Sequence, residues 1–333
     1  MAITLKDVAE RAGVSRSAVS RTFTDGASVS AKTRKKVEKA ARELNYSPSL
    51  IARSLATNRT KLIGLIANNF QNPVFLQVFD LFTRTLQDRG LRPLLVNMTD
   101  QKNAEASVRM LKQYSVDGVI LASSTMPPEF PHSFKDAGVP VVHAFGRYSP
   151  TPDVHIVGID NIHCGALAAE TLINRGYKRL AFLGGPQAAT STQDRLKGFS
   201  DKLKDAGFSP VDIRYARAYA YDAGFDAMGD LLTEKKVEAV FCGDDLICMG
   251  AMDAARKQGI VIPEDLGFIG FNDMNMSGWR AYDLTTVHQP LTDIIMGSVD
   301  LIVSLIEKPD RPPEARLLPC RVMERSTLRP IPG

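Results

Sequence analysis

Cysteine is scarce in this chain. Its four residues, at 164, 242, 248 and 320, form no CxxC pair and no His/Cys grouping at zinc spacing. A disulfide scaffold is excluded, and buried thiols are expected in place of a metal or redox site; no cofactor is expected either. Long apolar runs are also missing, none reaching the ~18 residues that a spanning helix needs. The N-terminus, MAITLKDVAERAG, lacks the apolar stretch of a secretory signal. The expectation is a cytoplasmic protein without a membrane partner. GxGxxG, Walker, GxSxG and HExxH patterns are absent as well. Gly184-Gly185-Pro186 is a glycine-containing loop, but a lone pair of glycines is a weak phosphate signal. An enzyme is therefore not expected.

What is present is ordinary in bulk and uneven in distribution. The 44% hydrophobic and 23% charged residues of the 333 suit a soluble globular protein of two or three domains. Residues 1–61, however, hold 13 Lys and Arg against 5 Asp and Glu, a net of +8. The remainder carries 28 basic and 32 acidic residues, a net of −4. A small basic head on a mildly acidic body is the asymmetry of a nucleic-acid-binding module joined to something else.

The head reads as three helices. Thr4 is placed to cap the first, with Asp7 reaching back, and Leu5, Val8, Ala9 and Ala12 line one face. Gly13 ends it. Ser15 caps a second helix, expected from Arg16 to about Thr24, with Val19 and Phe23 facing inward alongside Val14. A third, about Ala31 to Leu44, buries Val37, Ala40, Ala41 and Leu44. This is the layout of a helix-turn-helix, or of a small bundle whose polar residues are merely solvated. The outward face of the second helix favours the first reading, because Arg16, Ser17, Ser20 and Arg21 stand there without a carboxylate.

The segments ITLKDVAERAGVSRSAVSRTF and VSAKTRKKVEKAARELNYSPSLIARSLATNRTKLIGLI resemble the head and hinge of the lactose/galactose repressor family over about sixty residues, nearly without gaps. The resemblance implies a transcription regulator, most simply a repressor, that binds pseudo-palindromic double-stranded operator DNA as a homodimer. Arg16, Ser17 and Arg21 then occupy base-reading positions. Thr4, Leu5, Ser15, Ser20, Ser30, Lys32 and Thr33 occupy positions that contact the DNA backbone, although Thr4 and Ser15 also suit caps. Leu55 stands at the position of the family's wedging leucine, in a hinge that folds as two copies meet over the minor groove.

From Lys61 onward, apolar runs alternate with amphipathic stretches. LIGLIA (62–67), GVILAS (118–123), VPVVHAF (139–145), HIVGI (155–159), RLAFLGG (179–185), VEAVFCG (237–243) and LGFIGF (266–271) read as buried strands. Between the first two, PVFLQVFDLFTRTLQDRG (73–90) sets Phe75, Val78, Phe79, Phe82 and Leu86 on one helical face. The expected fold class is α/β: an all-α helix-turn-helix head, then a core of doubly wound parallel sheets. VGIDNIHCGALAAETLINRGYKRLAFLGGP and LTTVHQPL extend the resemblance, which implies a two-lobed core like that of periplasmic sugar-binding proteins. The expected division is 1–46 for the head, 47–60 for the hinge and 61–333 for an effector-binding, dimerising core. Lobe one would span about 62–160 and 291–318, and lobe two about 161–289 and 319–329, with crossings near Asp160, Pro290 and Pro319.

In such sheets ligands bind beyond the carboxyl ends of the strands. Strand ends supply Asn69, Phe70, Asn72, Ser123 and Ser124 from one half, and Arg195, Tyr219, Asp244, Asn272 and Gln289 from the other. Arg195, Tyr219, Asp244 and Asn272 also match pocket positions of the family. Taken singly, Asp244 and Asn272 suit helix caps, and Arg195 suits a surface ion pair. Together they suit a polyol, through bonds to adjacent hydroxyls. Phe145 stands where many members carry an aspartate, as does Asn272. Two lost negative charges admit a sugar acid paired with Arg195 beside a neutral sugar. A transport-type sugar receptor is the rival reading of the core, and a sugar-acting α/β enzyme another; the basic head argues against the first. Without a leucine-heptad tail after ERST, the assembly is expected to stop at a dimer.

Overall fold

Thr4 and Asp7 open the first helix by bonding each other: the Thr4 backbone N–H and hydroxyl both donate to Asp7 Oδ2 at 2.7 Å. α1 (Leu5–Ala12) ends at Gly13, whose φ of 63° is left-handed and free of strain without a Cβ. α2 (Arg16–Thr22) begins at Ser15, whose Oγ accepts the Ala18 N–H at 3.2 Å. It stops two residues short of the expected Thr24. Phe23 leaves the helical path there and packs toward Tyr46, with ring centroids 6.0 Å apart. α3 (Ala31–Glu43) starts on Ser30, which accepts the Thr33 N–H at 3.1 Å. Val8, Val19 and Val37 lose all exposure around Ala9, Ala40 and Ala41. Each buried valine contributes about 1.5–3 kcal/mol. A core this small leaves the caps, at about 1 kcal/mol each, a real share of the head's stability.

The computed structural model describes residues 3–24, 26–48, 54, 57, 59–68, 70–98, 104–127, 129–234 and 237–332. They form two compact units, residues 1–61 and 62–333. The second unit holds two six-stranded sheets. In chain order its first elements are β1 (Leu62–Ala67), α4 (Val74–Asp88), β2 (Arg92–Asn97), α5 (Ala104–Gln113), β3 (Gly118–Ala122), α6 (Phe130–Asp136), β4 (Val141–Ala144) and β5 (His155–Gly158). There follow α7 (Asn161–Ile173), β6 (Leu180–Gly184), α8 (Thr190–Asp205), β7 (Asp212–Tyr215), α9 (Tyr221–Glu234), β8 (Ala239–Cys242), α10 (Asp245–Lys257) and β9 (Gly267–Asn272). β10 (Thr286–His288), α11 (Leu291–Glu307), β11 (Ala315–Leu317) and β12 (Arg321–Met323) complete it.

The first sheet runs β11-β5-β4-β3-β1-β2, all parallel, and the second β12-β10-β9-β8-β6-β7, with only β12 antiparallel. The chain passes between the sheets after β5, after β10 and after β11. Central strands such as β3, β6 and β8 are buried along their whole length, as parallel strands covered on both faces must be. On α4, Val78, Phe82 and Leu86 are buried, while Phe75 and Phe79 pack at the margin. The strands absent from the apolar runs have a common cause. β2, β7, β11 and β12 lie at sheet edges with half-exposed faces, and β10 is three residues long. Among the described residues, no helix is long and apolar enough to cross a membrane.

Candidate functional site

Two surfaces collect the residues singled out by sequence, one on each unit. In the head, Arg16, Ser17, Ser20 and Arg21 are exposed along α2, and Lys32 is exposed at the start of α3. Two of the head's acids are paired elsewhere, Glu43 with Arg11 at 2.7 Å and Glu10 with Lys6 at 3.7 Å. Arg16, Arg21 and Lys32 have no ion-pair partner among the described residues. The hydroxyls are more committed. Thr4 bonds Asp7, Ser15 Oγ lies 2.9 Å from Ser17 Oγ while capping α2, and Ser30 Oγ lies 2.8 Å from Thr33 Oγ1 while capping α3. Leu5 is half-buried against the head's core. Leu55 lies outside the described residues.

In the core, the strands' carboxyl ends open on one cavity of about 60 Å³. Asn72, Ser123, Phe145, Arg195, Tyr219, Asp244, Asn272 and Gln289 all line it, drawn from both sheets. Asn69 lies outside the described residues. Phe70 does not line the cavity; its ring stacks 4.8 Å from Phe79, and α4 sends Phe75 inward in its place. Reading strand ends also passed over Asn68 and Thr125. Asn68 Nδ2 donates to Thr125 Oγ1 at 2.8 Å, and Ser123 Oγ donates to Asn68 Oδ1 at 2.7 Å. That partnership spans 57 residues and has no local signal. Behind it, His143 donates its Nε2–H to the Ser123 carbonyl at 2.8 Å, and burial pushes the imidazole down to about 4, so it stays neutral.

The centre of the site is Asp244, 2% exposed. Its Oδ1 caps α10 by accepting the Leu246 and Ile247 N–H groups, at 2.8 and 3.4 Å. Its Oδ2 accepts the Asn272 Nδ2–H at 2.8 Å and, from the other sheet, the Asn72 Nδ2–H at 3.2 Å. Cap and pocket residue are one and the same. Burial, then the neighbouring Asp245 carboxylate, push Asp244 up to about 7, against the downward pull of its hydrogen bonds and Arg195. Arg195 forms no surface ion pair. It is 4% exposed, donates Nε–H to Asn161 Oδ1 at 2.9 Å and Nη1–H to the Gly243 carbonyl at 2.6 Å, and stacks 3.5 Å from the Phe271 ring centroid. Nη2 has no hydrogen-bond partner among the described residues. The Tyr219 hydroxyl shares hydrogen bonds with Ser191 and Thr192 at 3.0 and 2.9 Å. Gly185 lies under the Tyr219 ring, where any Cβ would collide, so the glycine pair seats an aromatic wall.

Both sheets furnish polar groups to the cavity, while Val74, Phe75, Val78, Phe145 and Leu291 all come from the first sheet's side. Cys164, Cys242 and Cys248 are buried and Cys320 half-buried. Among the described residues, no three His, Cys, Asp or Glu side chains are grouped to hold a metal ion.

Comparison with known proteins finds matches for both parts of the chain. Residues 4–49 match the family described as bacterial regulatory proteins, lacI family, and residues 169–328 match the periplasmic binding protein-like domain. The chain is 31% identical to the ribose operon repressor of Escherichia coli strain K12, over 97% of this chain and 99% of that one. It is 30% identical to the HTH-type transcriptional repressor CytR of the same strain, over 99% and 98%. Among solved structures, the lac repressor dimer bound to operator and an anti-inducer superimposes with a TM-score of 0.89 at 27% identity, covering 99% of this chain and all of that one. A transcriptional regulator CelR–cellobiose complex gives 0.73 at 30% identity, covering 98% and 99%. The chain belongs to the lacI family of bacterial regulatory proteins, and it is a DNA-binding transcriptional regulator.

Proposed function

We propose that this regulator represses transcription as a homodimer on a pseudo-palindromic operator, and that a neutral, monosaccharide-sized polyol in the core cavity controls its operator affinity. On this reading residues 1–46 are the DNA-reading module, 47–60 the hinge and 61–333 the sensor. The protein then works in the cytoplasm beside its DNA and releases its ligand unchanged, without turnover. Arg16, Ser17 and Arg21 read base edges, and Lys32, with the capping hydroxyls around it, holds the phosphates. The wedge role of Leu55 rests on the family resemblance alone. Exposed apolar side chains support a dimer: Leu76 on α4 is 72% exposed and Leu95 on the edge strand β2 47%. Such side chains suit burial by a second copy.

One observation carries the choice of effector: Asp244 Oδ2 gathers amides from both sheets beside an Arg195 whose Nη2 is unmet. Adjacent ligand hydroxyls fit between such an acceptor and such a donor. The buried Asp244 carboxyl, with the Asp245 carboxylate beside it, disfavours a second acid in the cavity and so favours a neutral ligand over a sugar acid. Size agrees as well. At about 10–15 Å³ for one water, the cavity holds about four to six waters, on the order of 150 Å³ of liquid. The names of two relatives, a ribose operon repressor and a complex with cellobiose, support a sugar. To test this, binding-site selection from randomised duplex DNA supplies the operator, and fluorescence anisotropy follows its release by neutral sugars and by sugar acids. Release by a neutral monosaccharide is expected. Release only by a sugar acid overturns the neutral assignment, and recovery of no inverted repeat overturns the dimeric operator.

A further inference from the structure

Asn272 and Gln289 face the cavity, and each is followed or preceded in sequence by a residue that does not line it: Asp273 and His288. Asn272 and Asp273 both have positive φ, 115° and 58°. For two consecutive side-chain-bearing residues that conformation is strained and persists only where the surroundings hold it. The holding groups are explicit. Asp273 Oδ2 bonds His288 Nδ1 at 2.9 Å, and Asp273 Oδ1 accepts Arg325 Nη2–H at 2.6 Å. Arg325 is anchored in turn, donating Nη1–H to the Leu284 carbonyl at 2.7 Å and its backbone N–H to Thr285 Oγ1 at 3.0 Å.

The register brings the two pairs together. β9 and β10 run parallel with Asn272 opposite His288, and the Gln289 N–H points to the Asn272 carbonyl at 3.5 Å. The positive φ at Asn272 and Asp273 breaks the regular strand alternation, so that Asn272 and Gln289 line the cavity while Asp273 and His288 bond each other. Gln289 is also the last residue before Pro290, where the chain passes from the second sheet toward the first. From this arrangement we infer that Asp273 is a positioning residue for the cavity: its clamp on His288 and Arg325 holds Asn272 and Gln289 in their ligand-facing conformation. The inference rests on the cavity being the effector site. Preorganisation of this kind raises affinity by removing the cost of ordering those side chains on binding.

The test has one arm that needs no ligand. Hydrogen–deuterium exchange on the full-length ligand-free protein compares wild type with Asp273→Ala. Exchange is expected to quicken at least fivefold in peptides covering 270–278 and 286–291, with the core's thermal midpoint within about 2 °C of wild type by the scale for large domains. Asp273→Gly relieves the backbone but loses the clamp, so it should exchange like the alanine variant. Asp273→Asn tolerates positive φ and keeps an oxygen for Arg325, so it should recover most protection. In the second arm, D-ribose, D-galactose and D-gluconate are titrated, and Asp273→Ala should bind whichever of them stabilises wild type about tenfold more weakly. Unchanged exchange, or an affinity loss fully recovered by Asp273→Gly, overturns the clamp. If wild type binds none of the three, the effector reading fails, while the exchange comparison still decides the clamp.

Discussion

In the head, Arg16, Arg21 and Lys32 are exposed and carry no ion pair among the described residues; in the core, Asp244 and Arg195 are almost wholly buried and already bonded. The contrast follows from the ligands each must meet. DNA brings its own dense charge and displaces counterions, so long, hydrated cations that cost the fold nothing are sufficient. The neutral ligand proposed for the core brings only hydroxyls. Discriminating it requires dry, preset donors and acceptors, whose desolvation the fold must offset. Changes in the core should therefore couple binding to stability and pH, and changes in the head should alter binding alone.

The largest effect should follow from Asp244→Asn. Asparagine caps helices well, so α10 keeps its start, but an amide cannot accept hydrogen bonds from Asn72, Asn272 and ligand hydroxyls together. Sugar affinity should fall on the order of a hundredfold, about 2.7 kcal/mol. The pH dependence follows from linkage. With a folded value of about 7 against the 3.8 of an ordinary aspartate, Asp244 contributes stability that is full below pH 4 and is lost as pH rises through 7. His143, held down to about 4, has the opposite slope between about 4 and 6.5. Subtracting wild type from Asp244→Asn removes that shared background. The difference in stability should move in the variant's favour between pH 5 and pH 8, by on the order of 2–4 kcal/mol. Calorimetric midpoints that shift in parallel across that range would place Asp244 at an ordinary carboxylate value.

Arg195→Ala should weaken sugar binding about ten- to a hundredfold, the loss of one or two charge-assisted bonds of about 1.5–3 kcal/mol. It should also lower the core's midpoint, because Asn161 Oδ1 and the Gly243 carbonyl lose their donor. Titration calorimetry with the best sugar, beside thermal melting, reads both. Operator affinity without sugar should stay within twofold. Loss of operator binding alongside would mean that Arg195 supports the whole core and has no special part in the ligand.

The head should behave in the reverse way. Arg21→Ala should leave its melting within about 0.5 kcal/mol while costing operator affinity about 1–3 kcal/mol, with preference relaxed at one position per half-site. Equal weakening on every duplex in a single-substitution panel would make Arg21 a phosphate contact.

How much was legible in the sequence divides along the same line. The head's elements rest on local signals, namely Thr4 with Asp7, Gly13, Ser15 and Ser30, and the apolar spacing around Val8, Val19 and Val37. The central strands were legible because burial on both faces writes a continuous apolar run. β2 and β7 were not, since an edge strand is half polar. In the cavity, the strand-end rule found Asn72, Ser123 and Asp244, but Asn68 and Thr125 are pocket residues by virtue of a tertiary bond between them. Phe70 and Phe75 exchanged roles because α4 begins between them, at Val74. The clamp of Asp273, His288 and Arg325 was illegible for the same reason: three sheet neighbours, up to 52 residues apart, make it.

The smallest effect should come from Lys32→Ala, and it is the sharpest test of the head's side of the comparison. Lys32 is exposed, has no ion pair among the described residues, and stands two residues after the Ser30 cap at the start of α3. A cation in a first helical turn is slightly unfavourable with the helix dipole, so its removal should not destabilise the head. A point charge near phosphate carries no sequence information. Its loss should therefore lower affinity uniformly across operator variants and reduce the slope of log K against log salt by about one. Anisotropy titrations at four salt concentrations, on the selected operator and two single-base variants, measure both quantities. An unchanged slope would mean that Lys32 releases no counterion and lies off the DNA. A loss confined to one base variant would mean that it reads a base. Either result would redraw the boundary between positioning and reading that separates Lys32 from Arg21.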